Sequence, residues 1–323
     1  MSRKTINTIT IKKAFFRKLS IPFWTIDSEK DGPTLLITAA QHGNEVQGSV
    51  AISRFVNEYA ETITAGKVIA VPFCNIPAIR QHRPHINMRV GQAYEKNRGH
   101  NMNRLWSESG QNNSTKRIAT AIYENCGKQA THLLDLHCWQ KNNAPAILLH
   151  GVPKHRELAE KLGVQFIDMR PLSEKTLAGK FCTDGRIGIT YECSGQYAIY
   201  PQQVESILNV IRNMVYAIGI SGEKPVMNNS QPVIFSDKSN TQEIIAPVAG
   251  LFIPEPLKLG EAVTEDQLLG VILSDSNLEP TEIRTPVAGY LKRFGVSRPK
   301  CDVDMASFHP YVNRRDILAV ISQ

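Results

Sequence analysis

The sequence predicts an α/β fold with a mostly parallel sheet flanked by helices, followed by a small all-β domain. Three observations predict this architecture. Short apolar runs alternate with helical patterns from about residue 20 to about residue 220, which is typical of a parallel sheet. Residues 221–242 are rich in turn-forming and polar residues, as in a linker. After that stretch the helical period disappears, and short strand patterns take its place.

Each predicted element of the first part follows from its apolar pattern. The predicted strands are short apolar runs: Leu35–Ala40, Val68–Phe73, Leu133–Leu136, Ala146–Leu149, Val164–Ile167 and Ile187–Tyr191. The predicted helices have apolar residues at helical spacing: Glu45–Ala60, Lys116–Gln129, Lys154–Leu162 and Pro201–Ile218. The last helix begins with a proline, which is tolerated in the first turn because no backbone N–H is needed there.

The C-terminal part contains two similar segments. Ile244–Leu251 and Glu282–Tyr290 each read as a strand, a Pro-Val-Ala-Gly turn and a second strand. This repeat predicts a small β sandwich or barrel and is similar to biotinyl and lipoyl carrier domains. The hairpin that would carry the modified lysine, Leu273–Pro280, has no lysine. We therefore expect three parts: a domain at 1–222, a linker at 223–242, and a β-rich cap or scaffold at 243–323.

Composition and charge exclude several classes of protein. The 323 residues are 42% hydrophobic and 21% charged, an ordinary globular composition. The net charge of +7 is scattered, which disfavours a nucleic-acid partner and weakly favours an anionic substrate. We interpret the densest basic stretch, 12–18, as a solvated face. No apolar run approaches the roughly 20 residues that span a bilayer, and no hydrophobic leader is present, so we expect a cytoplasmic protein without a membrane partner.

Cysteine usage is also typical of an intracellular protein. None of the six cysteines forms a Cys-x-x-Cys pair, and we expect them to be reduced thiols: Cys74, Cys126, Cys138, Cys182, Cys193 and Cys301. Cys138 and Cys193 follow candidate functional residues directly. We interpret them as small residues that pack in a pocket wall rather than as redox or nucleophilic groups.

Three of the predicted strands end in residues that suit a metal site. The motif His42-Gly43-Asn44-Glu45 follows the first strand, His137 ends the third, and Glu192 ends the last. Ligands of an open α/β sheet bind at the carboxyl ends of its strands, so these side chains should meet. Two imidazoles and one carboxylate suit a catalytic zinc that also binds water. We predict His42, Glu45 and His137 as ligands, and Glu192 as the base that takes the proton of the water.

Other polar residues complete the candidate site. Asp135 lies two residues before His137 and faces the same side of the strand, where it either orients a ligand imidazole or serves as a cap or turn partner. Asn103 and Arg104 stand together in a predicted loop, and an arginine beside an amide can fork a substrate carboxylate. A second arginine would stabilise an oxyanion. Its candidates all precede Asn103: Arg80, Arg83, Arg89 and Arg98.

As a set, these motifs resemble the zinc carboxypeptidase-like hydrolases. His42–Glu45, Asn103-Arg104, Asp135-Leu136-His137 and Glu192 follow that pattern in order and spacing. The His-Gly-Asn-Glu form, the Ala-Pro-Val-Ala-Gly module and the length look like the succinylglutamate desuccinylase/aspartoacylase branch. The resemblance covers nearly the whole chain. It implies a phosphorylase/hydrolase-like catalytic domain, a C-terminal β domain near the active-site mouth and one zinc ion per chain.

The resemblance further implies hydrolysis of the amide bond of a small, anionic N-acyl amino acid. Asn103 and Arg104 match the pair that holds the substrate carboxylate, and Arg89 matches the oxyanion arginine best, with Arg98 as the competitor. Leu105-Trp106 replaces the Phe-Pro that often follows Asn-Arg, and Gly91–His100 looks longer and more polar than usual. The name of the branch therefore does not name the substrate.

Two other functions are weighed against this deacylase. One is a carboxypeptidase or amidase that acts on peptides, and the other is a scaffold that binds zinc without turnover. A base at Glu192 argues against the scaffold, because a pure binding site does not need one. Whether the chain forms a homo-oligomer is left open by the sequence.

Overall fold

The protein consists of two compact units. The structure is a computed structural model that describes residues 2–12, 18–89, 92–107, 112–150, 153–224, 231–236, 239–298 and 309–323. The first unit comprises Met1–Met88, Asn97–Trp139 and Ala146–Ile234, and the second Arg89–Lys96, Gln140–Pro145 and Phe235–Gln323. The main segment of the second unit thus begins at Phe235, which lies inside the predicted linker. Cys301, most of the basic stretch, and linker residues 225–230 and 237–238 lie outside the described residues.

A nine-stranded sheet forms the centre of the first unit. Its strands are β1 (Arg3–Lys12), β2 (Lys18–Asp27), β3 (Thr34–Ala39), β4 (Lys67–Val71), β5 (His132–Trp139), β6 (Ala146–His150), β7 (Phe166–Arg170), β8 (Ile187–Ser194) and β9 (Val233–Phe235), in the order β1-β2-β4-β3-β5-β8-β6-β7-β9. Its helices are α1 (Gln47–Glu58), α2 (Ile76–Arg80), α3 (Ser114–Ile122), α4 (Pro153–Glu160), α5 (Leu177–Thr183) and α6 (Pro201–Ala217).

The sheet is mixed, which corrects the prediction of a mostly parallel one. The four central strands β4, β3, β5 and β8 are parallel, whereas the β1–β2, β2–β4 and β6–β8 pairs are antiparallel. The hairpin β1–β2 was not predicted, because β1 buries only Ile9 and so carries a weak apolar signal. The α/β class itself is confirmed, and each predicted strand and helix overlaps an observed one.

Alternation along β3 explains why the central strands are apolar throughout. Leu35 and Ile37 point to a core that α1 and α6 cover, and Leu36 points to a second core that α3 and α5 cover. Successive side chains of a strand point to opposite faces, so a strand with helices on both faces must be apolar at every position. Polar residues of these strands occur largely toward the strand ends, and those toward the carboxyl ends of β5 and β8 lie where the candidate site lies.

The second unit contains two four-stranded antiparallel sheets. The first has the order β10 (Thr241–Ile245), β17 (Ile317–Ser322), β15 (Gly289–Ser297), β12 (Ala262–Val263), and the second has the order β14 (Pro280–Arg284), β13 (Leu268–Ser274), β11 (Gly250–Pro254), β16 (Tyr311–Val312). One hydrophobic cluster takes residues from both sheets, as in a sandwich. The β13–β14 hairpin spans the stretch without a lysine. Within the described part of the chain, no helix is both long and apolar enough to cross a membrane.

Candidate active site

The first part of the site is a tight turn between β3 and α1. Ala40 follows the last residue of β3 with φ 55°, in the left-handed region that non-glycine residues rarely adopt. The backbone N–H of Glu45 donates to the carbonyl of His42 at 3.1 Å, which closes the turn. His42 and Glu45 are both buried. The turn therefore brings an imidazole and a carboxylate of one short motif together at the end of the strand.

The second part comes from two adjacent parallel strands. His137 on β5 is the register neighbour of Glu192 on β8, so both lie at the same level of the sheet. Asp135 precedes His137 by two residues and shares its face of β5. Asp135 and His137 are 0% and 2% exposed. The parallel register thus supplies the third predicted ligand and the predicted base from neighbouring strands.

The carboxylate of Glu45 joins the two imidazoles. Its Oε1 lies 2.8 Å from Nδ1 of His42, and its Oε2 lies 2.8 Å from Nδ1 of His137. Two further donors hold it, the backbone N–H of Cys138 at 3.2 Å and the side-chain amide of Gln196 at 3.2 Å. Ligand atoms of His42, Glu45 and His137 all lie within 4.8 Å of one another. The structure therefore brings the three predicted ligands into one cluster.

The outer nitrogens of both imidazoles face oxygen acceptors. Nε2 of His137 lies 3.1 Å from a carboxylate oxygen of Asp135, and Nε2 of His42 lies 3.1 Å from the amide oxygen of Asn101. An acceptor at Nε2 places the ring proton there, and a neutral ring then turns the lone pair of Nδ1 toward Glu45. Two lone pairs and a carboxylate repel one another unless protons or a cation lie between them. This donor set, two nitrogens and a carboxylate, fits a divalent cation such as zinc.

The charges of the cluster shift its pKa values strongly. Burial alone would raise the pKa of Glu45, but the neighbouring His42 and His137 outweigh burial and lower it. Burial would lower the pKa of His137, but the carboxylates of Asp135 and Glu45 raise it well above its usual value. Without a metal, the cluster thus favours an ionised Glu45 beside a protonated imidazole. A cation would take over the positive charge that the protonated ring supplies.

Glu192 is kept apart from this hydrogen-bonded cluster. The residue is half-buried, but its Oε2 is buried and makes no hydrogen bond within the part of the chain that the structure describes. Burial raises the pKa of Glu192 to about 8, with smaller contributions from the charges of Glu45 and Asp135. A carboxyl group whose pKa is near neutrality, and whose Oε2 accepts no hydrogen bond from the described residues, is able to exchange a proton with another molecule.

The predicted substrate-binding residues lie close to the cluster. The amide nitrogen of Asn103 is 3.4 Å from Nε2 of His137, and its amide oxygen accepts from the backbone N–H of Leu177 at 3.2 Å. Arg104 is exposed, and its guanidinium donates to the carbonyl of Asn103 at 2.6 Å. The part that both residues play with a substrate carboxylate stays a prediction.

The two candidate oxyanion arginines are both exposed. Arg89 begins the segment Arg89–Lys96 of the second unit, and its backbone N–H donates to the side chain of Gln92 at 3.0 Å. Arg98 lies in the first unit with φ 51°. The oxyanion role of Arg89, with Arg98 as its competitor, stays a prediction.

Sequence reasoning missed three residues that contact the cluster. Asn101 backs His42, Gln196 holds Glu45, and the buried ring of His85 meets His42 edge-on with a centroid distance of 5.3 Å. Burial, with the nearby charge of His42, lowers the pKa of His85 to about 3, so this ring is neutral. Asn101 lies two residues before Asn103, and its closeness in the sequence to that predicted site residue could have pointed to it. Gln196 and His85 carry no local signal, because folding alone brings their segments to the site.

The two cysteines beside the functional residues face each other. The thiol sulfurs of Cys138 and Cys193 are 3.3 Å apart across β5 and β8, and both residues are buried. The hydrogen bond between the thiols, together with burial, raises the pKa of Cys138 well above its usual value. A thiol with a raised pKa is a poor nucleophile, which agrees with the interpretation of Cys138 as a packing group.

Comparisons with known proteins cover almost the whole chain. The model of the succinylglutamate desuccinylase/aspartoacylase catalytic domain matches residues 31–218. N-alpha-acetyl-L-2,4-diaminobutyric acid deacetylase of Halomonas elongata is 24% identical over 316 residues, covering 93% of this chain and 84% of the relative. A succinylglutamate desuccinylase/aspartoacylase structure from Rhodobacter sphaeroides has a TM-score of 0.73 at 19% identity and covers 99% of this chain and 95% of its own. The ectoine utilization protein EutE of Ruegeria pomeroyi has a TM-score of 0.71 at 19% identity, with coverage of 99% and 95%.

Proposed function

We propose a function for this chain, which belongs to the succinylglutamate desuccinylase/aspartoacylase family. On this proposal the protein is a zinc-dependent hydrolase that cleaves the amide bond of a small N-acyl amino acid. The observation that carries the proposal is the meeting of His42, Glu45 and His137 beside Glu192, whose buried Oε2 has no hydrogen-bond partner among the described residues. The match to a deacetylase over most of both chains supports the same reaction class.

His42, Glu45 and His137 would hold the zinc ion. When bound there, zinc would lower the pKa of a water molecule and polarise the carbonyl of the substrate. Asp135 and Asn101 would keep the two rings in the tautomer that offers Nδ1 to the ion. Gln196 and the backbone of Cys138 would hold the Glu45 carboxylate in place.

Glu192 would act as the general base and then as the general acid. Its carboxylate would accept a proton from the attacking water and deliver it to the leaving nitrogen of the amide. A raised pKa suits this double role, because a group that titrates near neutrality both takes and returns a proton there.

Arginine and amide groups would select an anionic substrate. Arg104, with Asn103 beside it, would hold the substrate carboxylate, and Arg89 would stabilise the oxyanion. The chain carries a net charge of +7, which attracts anions in general. We place substrate selectivity in the Arg89–Trp106 segment, because it contains both of these arginines and because Gly91–His100 within it looks longer and more polar than the family pattern.

Metal removal and a substrate panel test the proposal. The protein is dialysed against a chelator and then assayed, with and without added zinc, on N-acetyl and N-succinyl amino acids and on short peptides. Zinc content is measured in parallel. We expect about one zinc per chain, loss of N-acyl amino acid hydrolysis on chelation, and its return when zinc is added.

Two histidines on the same strand provide a matched control. His137→Gln should lose both zinc and activity, whereas His132→Gln, at the opposite end of β5, should keep both. Hydrolysis that is indifferent to zinc would refute the proposal. Turnover of peptides alone would favour the peptidase, and zinc binding without any turnover would favour the scaffold.

A further inference from the structure

The carboxylate of Asp135 makes more hydrogen bonds than it would need to orient His137 alone. Its Oδ1 accepts from the hydroxyl of Thr38 at 2.7 Å and from the amide of Gln41 at 2.8 Å. Its Oδ2 accepts from the same amide at 2.7 Å and faces Nε2 of His137 at 3.1 Å. Asp135, Thr38 and Gln41 are all 0% exposed. A buried carboxylate with every bond made by protein cannot rotate without breaking several of them.

The amide of Gln41 could in principle point either way, and Trp106 decides which. The indole Nε1–H of Trp106 donates to Oε1 of Gln41 at 2.8 Å. An indole nitrogen is only a donor, so the amide must turn its oxygen toward the indole and its NH₂ group toward Asp135. The reverse orientation would set the amide oxygen against the carboxylate and leave the indole N–H facing an amide NH₂. Both contacts would be repulsive in a buried place.

A series of hydrogen bonds therefore connects Trp106 to His137 through Gln41 and Asp135, and it converges on the carboxylate of Asp135. Trp106 fixes the amide of Gln41, and that amide donates to Asp135. A carboxylate only accepts, so the proton between Asp135 and His137 must sit on Nε2 of His137. Its Nδ1 then presents a lone pair toward Glu45. Trp106 and Gln41 come from different loops, since Gln41 directly precedes His42 and Trp106 follows Arg104 by two positions.

We propose that Trp106 and Gln41 are positioning residues that act through Asp135 to hold His137 in its ligand tautomer and thereby set the affinity of the site for its metal ion. This inference rests on the metal site of the proposed function. It goes further in assigning a role to Trp106, the position at which this chain departs from the Phe-Pro that often follows Asn-Arg in the family it resembles.

Zinc affinity of defined variants tests the inference. Trp106→Phe removes the indole N–H and keeps an aromatic ring, and Gln41→Leu removes the amide at a similar volume. We expect each change to weaken zinc binding about tenfold, at the lower end of the effect of outer ligand partners. The Trp106→Phe change should have little further effect in the Gln41→Leu background, because both act along one series. Competition with a chromophoric chelator measures these affinities.

A spectroscopic readout and a control separate positioning from general damage. The absorption bands of Co²⁺ in the substituted protein should shift in Trp106→Phe. They should not shift in Trp24→Phe, a change on β2 in the same sheet. Thermal unfolding of the metal-free variants reports any loss of stability. If Gln41→Leu fails to fold, Trp106→Phe alone carries the test.

The outcomes are distinct. A Trp106→Phe protein with wild-type zinc affinity and a wild-type Co²⁺ spectrum overturns the inference, even if its melting temperature falls, and leaves the proposed function standing. A wild-type protein that binds neither zinc nor Co²⁺ removes the metal site, and the proposed function and this inference fail together.

Discussion

Glu192 shows how a single residue can be unfavourable for the fold and still suit a reaction. Its Oε2 is buried without a hydrogen bond among the described residues, and burial raises its pKa to about 8. A buried polar atom left unsatisfied costs about 1–3 kcal/mol. By contrast, the neighbouring Glu45 is held by four donors or ring nitrogens. The contrast between two nearby carboxylates fits the different tasks proposed for them, Glu45 as a fixed metal ligand and Glu192 as a group available to a reactant.

The first prediction concerns the carboxylate of Glu192. Glu192→Gln keeps the size of the side chain but cannot accept a proton from water, so we expect kcat to fall about 10²–10⁴-fold. Zinc content should remain at the wild-type level, because Glu192 is outside the ligand cluster. Steady-state kinetics and metal analysis of the purified variant measure both. Glu205→Gln, an exposed change on α6, is the control and should leave both unchanged.

Turnover by Glu192→Gln at the wild-type rate would remove this residue from the mechanism. At the same scale, sequence reasoning found the ionisable residues of the site and the amide of Asn103, but not the amides of Asn101 and Gln196. The residues His42, Glu45, His137 and Glu192 are recognisable because few residue types bind metals or move protons. Gln196 is a common polar residue, and only its contact with Glu45 gives it a role.

At the scale of elements, Gly43 packs the turn that carries His42 and Glu45 against α2. A Cβ at this position would lie 2.3 Å from the carbonyl carbon of Ala78, 2.4 Å from the nitrogen of Ile79 and 2.5 Å from the oxygen of Arg83. All three are backbone atoms, which cannot rotate away as a side chain would. The N–H of Gly43 also donates to the carbonyl of Pro84 at 3.1 Å. Glycine is therefore required by the close approach of two backbones.

The second prediction follows from this contact. Gly43→Ala must push α2 away from the turn. We expect this change to lower the free energy of unfolding by about 1–3 kcal/mol. Gly222→Ala is the matched control, since a Cβ there meets no atom within 4 Å and should change stability by less than about 0.5 kcal/mol. Urea unfolding of the metal-free proteins measures both. Equal stability of the two variants would contradict the close packing of the turn.

Asp184 connects elements on the other side of the sheet. It ends α5 and accepts from the hydroxyl of Tyr123 at 2.5 Å and from the guanidinium of Arg186 at 2.7 Å. Burial would raise the pKa of Asp184, but these hydrogen bonds outweigh burial and lower it. A lowered pKa means that the folded state stabilises the ionised carboxylate. That stability is present above the ordinary pKa of aspartate and is lost as the pH falls through the lowered value.

The third prediction uses this dependence on pH. At pH 7 we expect Asp184→Asn to be less stable than the wild type by up to about 1 kcal/mol, the size typical of partly exposed pairs. The difference should shrink below about pH 4 as the wild-type carboxylate becomes protonated. Urea unfolding at pH 7 and pH 3 measures it. Asp266→Asn, whose side chain is 83% exposed, should show no such trend, and a difference for Asp184→Asn that is constant with pH would refute the assignment.

At the scale of the whole molecule, a metal ion bound at the proposed site should stabilise the folded chain. The predicted ligands come from β5 and from the turn between β3 and α1, and they meet only after the central sheet has formed. A metal that binds the folded state alone stabilises it by mass action, by about 2.7 kcal/mol at a hundredfold excess over Kd.

The fourth prediction is a rise in melting temperature on adding zinc to the metal-free protein. For a catalytic domain of this size we expect about 5–10 °C. His137→Gln should lose the rise, and His132→Gln should retain it, as followed by calorimetry. A rise of equal size in all three proteins would show that zinc acts elsewhere on the chain.

The sequence by itself determined the α/β class and the family, and it predicted the three metal ligands and the base. Apolar runs reveal buried strands because a strand covered on both faces must exclude polar groups, and metal-binding residues stand out at strand ends for the same reason. The mixed direction of the sheet, the register of His137 with Glu192 and the bonds of Gln41 with Trp106 and Asp135 were decided by the tertiary structure. These features depend on contacts between segments up to 94 positions apart, and no local pattern records which distant partner a residue will meet.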